Sequence, residues 1–454
     1  MHLLISFSVC LLLAVTAVAQ KPHPCKSPPL MVGRLSLIYP RGQLFVYERF
    51  SYDGLGQRIR VWAQGTNHNQ SFYEDVLMLF RKGVVYNISY RNQTCKKRAL
   101  KVRFQPMEVP HNATLQAQII IGSSSGPGQG LLVNNWVGEI PEKQANYYMT
   151  FTEFGCLPVS TLYTSEQYGW IFTSFFNLVI GIEDPQDFIP PDFCDTTKPV
   201  DEGEEVVTDF FEALLRKDDQ FLLKDLVCFY PEGNMHLLIS FSVCLLLAVT
   251  AVAQKPHPCK SPPLMVGRAS VMYPKGQLFI YERFSYDAWG QRIRVRAQGV
   301  DHDHPFHEDV LMLFRERVMY EISYRNHTCK KRALKVRFQP SEIPQNATLQ
   351  AQVIIGSSSR PGQGLLVNNW IGDIPEQQAK YSMTFTEFGC LPITSLYHTD
   401  QTGWILSSFF DLVVGIEDPQ EFIPPKFCDK TKPVDEGEEV VTDFFEALLK
   451  KDDH

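Results

Sequence analysis

"LQAQIII", residues 115–121, decides the fold class. Leu115, Ala117, Ile119 and Ile121 alternate with the polar Gln116 and Gln118. A period of two places successive side chains on opposite faces of a strand, so the run predicts a half-buried antiparallel strand with one apolar face. The same rhythm recurs outward from it. In "RIRVWA" Ile59 and Val61 oppose Arg58 and Arg60, and in "VVYNISY" Val84, Tyr86 and Ile88 share a face. Turn residues break these runs at "SYDGLGQ" (51–57), "RKG" (81–83) and "GSSSGPGQG" (122–130). Longer runs follow at Tyr147 and from Gly169 to Ile182. This spacing predicts an all-β meander or antiparallel β-sandwich. No strand–helix–strand rhythm is present, which excludes a doubly wound nucleotide-binding fold. One helix is expected near the end, in "EEVVTDFFEALLRK". Its apolar Val206, Val207, Phe210, Phe211 and Leu214 recur at helical spacing, with acids at the start and bases at the end.

The pattern occurs twice. Residues 235–454 repeat residues 1–220 at a constant offset of 234, and Met1–Arg34 is identical to Met235–Arg268. Each repeat opens on "MHLLISFSVCLLLAVTAVAQ", an apolar stretch ending in the small-x-small Ala17-Val18-Ala19, the pattern of a secretory signal. The expected organisation is a signal peptide at 1–19, a domain at 20–220, a linker at 221–234, an internal copy of the signal at 235–253, and a second domain at 254–454. Identity within a segment constrained only for hydrophobicity points to duplication of a whole coding unit.

The chain carries a net charge of −7, which argues against a nucleic-acid partner, since phosphate binding needs a basic surplus. With 44% hydrophobic and 12% aromatic residues each copy has the material for a core. Outside the signals and linker, each copy keeps four cysteines: Cys25, Cys95, Cys156 and Cys194, matched by Cys259, Cys329, Cys390 and Cys428. Behind a signal peptide an even set reads as two disulfides, with three pairings open. The glycosylation sequons at Asn69, Asn87, Asn92, Asn112, Asn326 and Asn346 fit the same compartment.

Several constellations invite a chemical reading. Gly122–Gly126 fits the G-x-S-x-G pattern of hydrolase nucleophiles, but it leads into a turn and a strand, and Arg360 replaces the last glycine in the second copy. "DHDHPFHED" brings His302, His304 and His307 together, yet the first copy has one histidine there, so an exposed polar loop is the better reading. In "CKKRALKVRF" Lys101 and Arg103 alternate with Leu100, Val102 and Phe104, giving a basic strand face. Glu183, Asp184 and Asp187, with Asp201, Glu202, Glu204 and Glu205, are candidate calcium ligands, since this ion takes several oxygens. No triad, phosphate loop or metal signature holds in both copies, so no enzyme activity is expected.

"SYDGLGQRIRV" (51–61), "FTEFGCLPV" (151–159) and above all "IGIEDPQDFIPPDFC" (180–194) resemble the ependymins and ependymin-related proteins over nearly all of each copy. The resemblance implies pairing of Cys25 with Cys156, Cys95 with Cys194, Cys259 with Cys390 and Cys329 with Cys428. It further implies a secreted or lysosomal glycoprotein in which two stacked sheets enclose an apolar pocket, as in bacterial lipoprotein carriers. Such proteins are associated with calcium, with extracellular matrix and adhesion, with lipid-like ligands and with dimers. Phe151, Phe154, Trp170, Phe172, Phe175 and Phe176 are the candidate pocket walls. The expected function is binding of a hydrophobic small molecule or lipid. The alternative is a calcium-binding matrix-adhesion glycoprotein. The copies are expected to form a homodimer or an intrachain pair.

Overall fold

A computed structural model describes residues 21–194 and 256–429, apart from short stretches at 40, 42–43, 69, 142–143, 167–168, 274–277, 302–303, 376–378 and 400–402. The signal segments, the linker and the expected helix over 204–217 lie outside these residues.

Each copy contributes eleven strands. In the first they are β1 (Leu30–Tyr39), β2 (Leu44–Asp53), β3 (Arg58–Asn67), β4 (Gln70–Leu79), β5 (Val84–Ser89), β6 (Thr94–Ala99), β7 (Thr114–Gly122), β8 (Gly130–Ile140), β9 (Ala145–Thr152), β10 (Pro158–Ser165) and β11 (Gly169–Ile180). The second repeats them as β12 (Leu264–Tyr273) through β22 (Gly403–Val414). Neighbours in sequence pair antiparallel, and β11 pairs with β1, so the order within a copy is β6-β5-β4-β3-β2-β1-β11-β10-β9-β8-β7. The all-β expectation from the period-two runs is met. Ala117, Ile119 and Ile121 do share one buried face, while Gln116 and Gln118 are exposed.

The two copies join through their sheets. β7 meets β22, with Ile121 opposite Phe410, and β11 meets β18 (Thr348–Gly356), with Phe176 opposite Ile355. Following the pairings from β11 through β7 into β22, then through β18 back to β11, closes a ten-strand barrel, half from each copy. Its two halves clasp a shared core that includes Ile119, Leu131, Val133, Leu365, Val367 and Phe410.

Strands β1–β6 continue from the barrel as a second layer whose inner face carries the main core of the copy, including Met31, Val46, Phe50, Val61 and Met78. Burial of such side chains stabilises by roughly 1.5–3 kcal/mol each. The extended segment after β6 crosses this face. Leu100, Val102, Phe104 and Met107 point into the core, while Lys101 and Arg103 stay exposed. The basic alternation is therefore real, but from Leu100 onward it sits on a strap outside the β6 strand. Met107 N–H donates to the Tyr52 hydroxyl at 3.1 Å, and Phe104 lies 5.9 Å from the Tyr52 ring, which fixes the strap. Gly33 permits the close approach of β1 to the core, because a Cβ there would stand 2.4 Å from Leu178 Cδ2.

The outer face of the same layer is covered too. Arg58 and Arg60 point outward as expected, but the chain after β11 folds back over them. Phe188 and Cys194 pack on Leu77, Leu79, Tyr86 and Ile88. Arg60, only 4% exposed, donates to both Asp75 carboxylate oxygens at 2.9 and 2.8 Å and to the Asp187 carbonyl at 3.0 Å. A buried guanidinium needs such partners, since an unpaired one would cost several kcal/mol.

Candidate functional site

The inner face of each copy is apolar, but it is not sealed. In the first copy Leu35, Tyr39, Phe72, Tyr163 and Phe175 all pack against the core and remain partly accessible. In the second, Tyr273, Phe306, Tyr397 and Phe409 do the same. A groove of about 700 Å³ runs between the copies. Tyr148, Leu162 and Trp170 of the first copy form one wall, and Tyr273, Leu278 and Phe279 of the second form the other. Tyr273 and Leu278 also pack with the core of the second copy. A second hollow, of about 630 Å³, lies at the strap of the second copy beside Phe314, Arg317 and Phe338.

One element of the inner face is acidic. Glu48 on β2 is in phase with Leu44, Val46 and Phe50, so it points into the core and is 2% exposed. Its row across the sheet reads Glu74, Ala63, Glu48, Leu35, Phe175, each residue directly opposite the next. In the second copy the row is Glu308, Ala297, Glu282, Ala269, Phe409. Burial, with the negative charge of Glu74 adding to it, pushes Glu48 up to about 8. Burial alone pushes Glu282 up to about 7. Burial thus favours the protonated form of each acid, because an apolar surround disfavours a charge. None of the motifs singled out in the sequence includes these acids. Their signal lies in "LFVYERF" and "LFIYERF", where a glutamate falls on the apolar phase of a strand.

The expected pocket walls separate into different places. Trp170 lines the groove between the copies, and Phe175 lies on the inner face. Phe176 is buried where β11 meets β18. Phe151 packs with Trp136 beside the Cys25–Cys156 bridge. Phe172 on β11 is partly buried, and Phe154 is 60% exposed.

Disulfides join Cys25 to Cys156, Cys95 to Cys194, Cys259 to Cys390 and Cys329 to Cys428. The acids of "EDPQD" serve the chain itself. Asp184 caps Gln186 N–H at 2.9 Å, Asp187 accepts from the Ser51 hydroxyl at 2.7 Å, and Glu183 lies 3.7 Å from Arg49. Among the described residues no three His, Cys, Asp or Glu side chains form a metal cluster. Asp201, Glu202, Glu204 and Glu205 lie outside the described residues, as do His302 and Asn69. His304 and His307 are exposed. Asn92, Asn112, Asn326 and Asn346 stand exposed in turns, whereas Asn87 is partly buried on β5 and accepts from Arg98 at 2.7 Å. Gly122–Gly126 is the hairpin loop between β7 and β8, without the strand–turn–helix that a nucleophile elbow requires. Among the described residues no helix is long and apolar enough to cross a membrane.

The family model described as Ependymin matches residues 68–194 and again residues 302–428. The chain belongs to the ependymin family. It carries two ependymin domains, one per repeat. Ependymin-2 of Carassius auratus is 36% identical over 184 residues, covering 40% of this chain and 85% of that protein. The ependymin of Notemigonus crysoleucas gives the same identity and coverage. Ependymin-1 of Oncorhynchus mykiss is 31% identical over 209 residues, which is 45% of this chain and 94% of that protein. Among solved structures, an uncharacterized conserved protein from Thermus thermophilus superposes with a TM-score of 0.25 at 10% identity, over 40% of this chain and 91% of that one. MucB in complex with MucA(peri) gives 0.22 at 7% identity, over 85% and 89%. Both superpositions are too loose to define a shared fold with this ependymin.

Proposed function

We propose that this ependymin is a secreted, glycosylated, non-enzymatic carrier of small hydrophobic molecules, with its two copies paired as one unit. The supporting observation is the unsealed inner face. Aromatic side chains that pack against the core, among them Tyr273 and Phe306, stay partly accessible, and Tyr273 also lines the groove between the copies. Apolar surface left reachable inside a fold costs stability unless a guest covers it, and a concave, mostly apolar site with few polar groups is the ordinary form of a small-molecule pocket. Four bridges and the exposed sequons at Asn92, Asn112, Asn326 and Asn346 suit an oxidising, glycosylating compartment.

The test is native mass spectrometry of the full chain, gently delipidated and then offered fatty acids, glycolipids and long-chain alcohols. Retention of at least one class at a fixed stoichiometry is expected. A protein that retains none of them is not a carrier.

A further inference from the structure

We propose that the hollow at the strap of the second copy binds an anionic amphiphile, its head held by Arg317, Lys335 and Arg337 and its tail laid on Phe314, Val336 and Phe338. This site is separate from the groove between the copies. It extends the carrier reading to a ligand of defined charge.

Three observations carry it. The first is the make-up of the hollow. It measures about 630 Å³, within the range of small-molecule pockets. Its apolar side is the edge of the core. Phe314 is buried, whereas Val336 and Phe338 pack against the core and stay partly accessible. Phe338 meets Phe314 edge-on at 5.3 Å and stacks on Tyr286 at 5.8 Å, which fixes that side. The charged residues that line the hollow are Arg317, Lys335 and Arg337, all of them cations.

The second is that these cations are unpaired. Other arginines of the same copy are matched to acids, Arg292 to Asp287 and Arg294 to Asp309. Among the described residues the side chains of Arg317, Lys335 and Arg337 make no ion pair or hydrogen bond, and all three are exposed. One exposed cation is ordinary. Three around one apolar hollow give it a positive potential that favours an anion.

The third is Arg317 itself. It stands in the turn between β15 (His304–Leu313) and β16 (Val318–Ser323) at φ 53°, where the first copy has Gly83 at φ 62°. The turn is otherwise the same. The Arg317 carbonyl accepts Leu334 N–H at 2.9 Å, as the Gly83 carbonyl accepts Leu100 N–H at 2.8 Å. The arginine thus adds backbone strain, leaves these hydrogen bonds unchanged and finds no side-chain partner in the fold. Strained residues cluster at binding sites, and what arginine adds here is a charge on the hollow.

The chemistry selects the ligand. A carboxylate, sulfate or phosphate accepts charge-assisted bonds from guanidinium and ammonium donors, an alcohol accepts weaker ones, and an amine meets like charge. A small free anion would leave the apolar side wet, and a long polyanion would use the cations without the hollow. An amphiphile uses both. The first copy keeps Lys101 and Arg103 on its strap but has Gly83 in place of Arg317, so the tighter site belongs to the second copy.

The experiment titrates the full delipidated chain with dodecanoate, dodecanol, dodecylamine, inorganic phosphate and a heparin oligosaccharide at about pH 7.5, where the carboxylate is ionised. Dodecanoate is expected to bind about fivefold or more tighter than dodecanol, with dodecylamine the weakest amphiphile and phosphate and heparin about tenfold or more weaker than dodecanoate. Raising salt from about 0.05 to about 0.5 M should weaken dodecanoate about threefold and leave dodecanol no weaker. Arg317→Gly restores the residue of the first copy and should fold at least as well. It is expected to lower dodecanoate affinity about threefold. Adding Lys335→Gln and Arg337→Gln should bring dodecanoate to the level of dodecanol, whose own binding stays within about twofold. Dodecanoate no tighter than dodecanol, an affinity unmoved by Arg317→Gly, a preference that survives the triple variant, or phosphate or heparin binding as tightly as dodecanoate would overturn the proposal. The carrier reading would still stand where dodecanol is bound. Binding of none of the three amphiphiles would overturn both.

Discussion

The side chain of Asp411 reaches from one copy into the other, where its Oδ1 accepts the backbone N–H of Ile120 at 2.8 Å. The repeat is reciprocated: Asn177 Oδ1 accepts Ile354 N–H at 2.7 Å. Both acceptor residues stand in the left-handed region, Asn177 at φ 52° and Asp411 at φ 51°, which Asn and Asp tolerate better than most residues. A kink in the last strand of each copy thus presents a carboxyl or amide oxygen to the edge strand of the other. Ser125 and Ser359 add Val414 N–H at 3.1 Å and Ile180 N–H at 3.3 Å.

Asp411→Ala should therefore lower stability by about 2–3 kcal/mol, from an unsatisfied N–H at the joint plus the strain of alanine at positive φ. Asp411→Asn should change it by less than about 0.5 kcal/mol, because Asn177 already does the same task in the first copy. Chemical denaturation of the full chain measures both, and equal losses would show that the oxygen is not what matters.

Stability should fall as pH rises towards neutral through the buried glutamates. Glu48 is raised from 4.5 to about 8, so the folded chain keeps a proton that the unfolded chain releases across that window. The contribution is complete below about pH 4.5 and lost progressively up to about pH 8, on the order of 3–5 kcal/mol for such a shift. Melting temperatures of the parent and of Glu48→Gln between these limits should diverge, the parent losing more. Parallel curves would contradict the assignment.

Arg60 and Asp75 should behave as a unit. Removing one partner, as in Arg60→Ala, strands a buried charge and should cost about 3–5 kcal/mol. The double change Arg60→Met/Asp75→Leu should cost distinctly less, since no uncompensated charge remains. A double-mutant cycle by urea denaturation tests this, and additive losses would exclude the coupling.

Arg317 occupies a left-handed position, φ 53°, where the first copy has Gly83 at φ 62°. Glycine adopts this backbone freely and arginine does not. Arg317→Gly should raise the stability of the second copy by about 0.5–1 kcal/mol, read as a shift in its thermal transition. A loss instead would mean that the Arg317 side chain contributes more by contact than its backbone loses.

The sheet was legible because its cause is local. A strand half buried on one face must alternate, and "LQAQIII" and "VVYNISY" do. The disulfide pairs followed from the resemblance and not from spacing, as Cys25 and Cys156 are 131 residues apart and meet only through packing. The pocket candidates fared unevenly for a related reason. Phe151, Phe154, Trp170 and Phe175 are equally apolar, and nothing local tells which faces a disulfide, solvent, a groove or a core. Arg60 read as solvent-facing because its face is polar in phase, whereas a segment more than a hundred residues later covers it.

From its letters alone the chain fixed its strands, its doubling and its family, since these depend on side-chain order within reach of the backbone's period. Which faces met, that one barrel is shared by both copies, and that Glu282 is buried were settled only by assembly. Those relations depend on contacts between distant segments, and the free energy of burying surface is decided by what covers it.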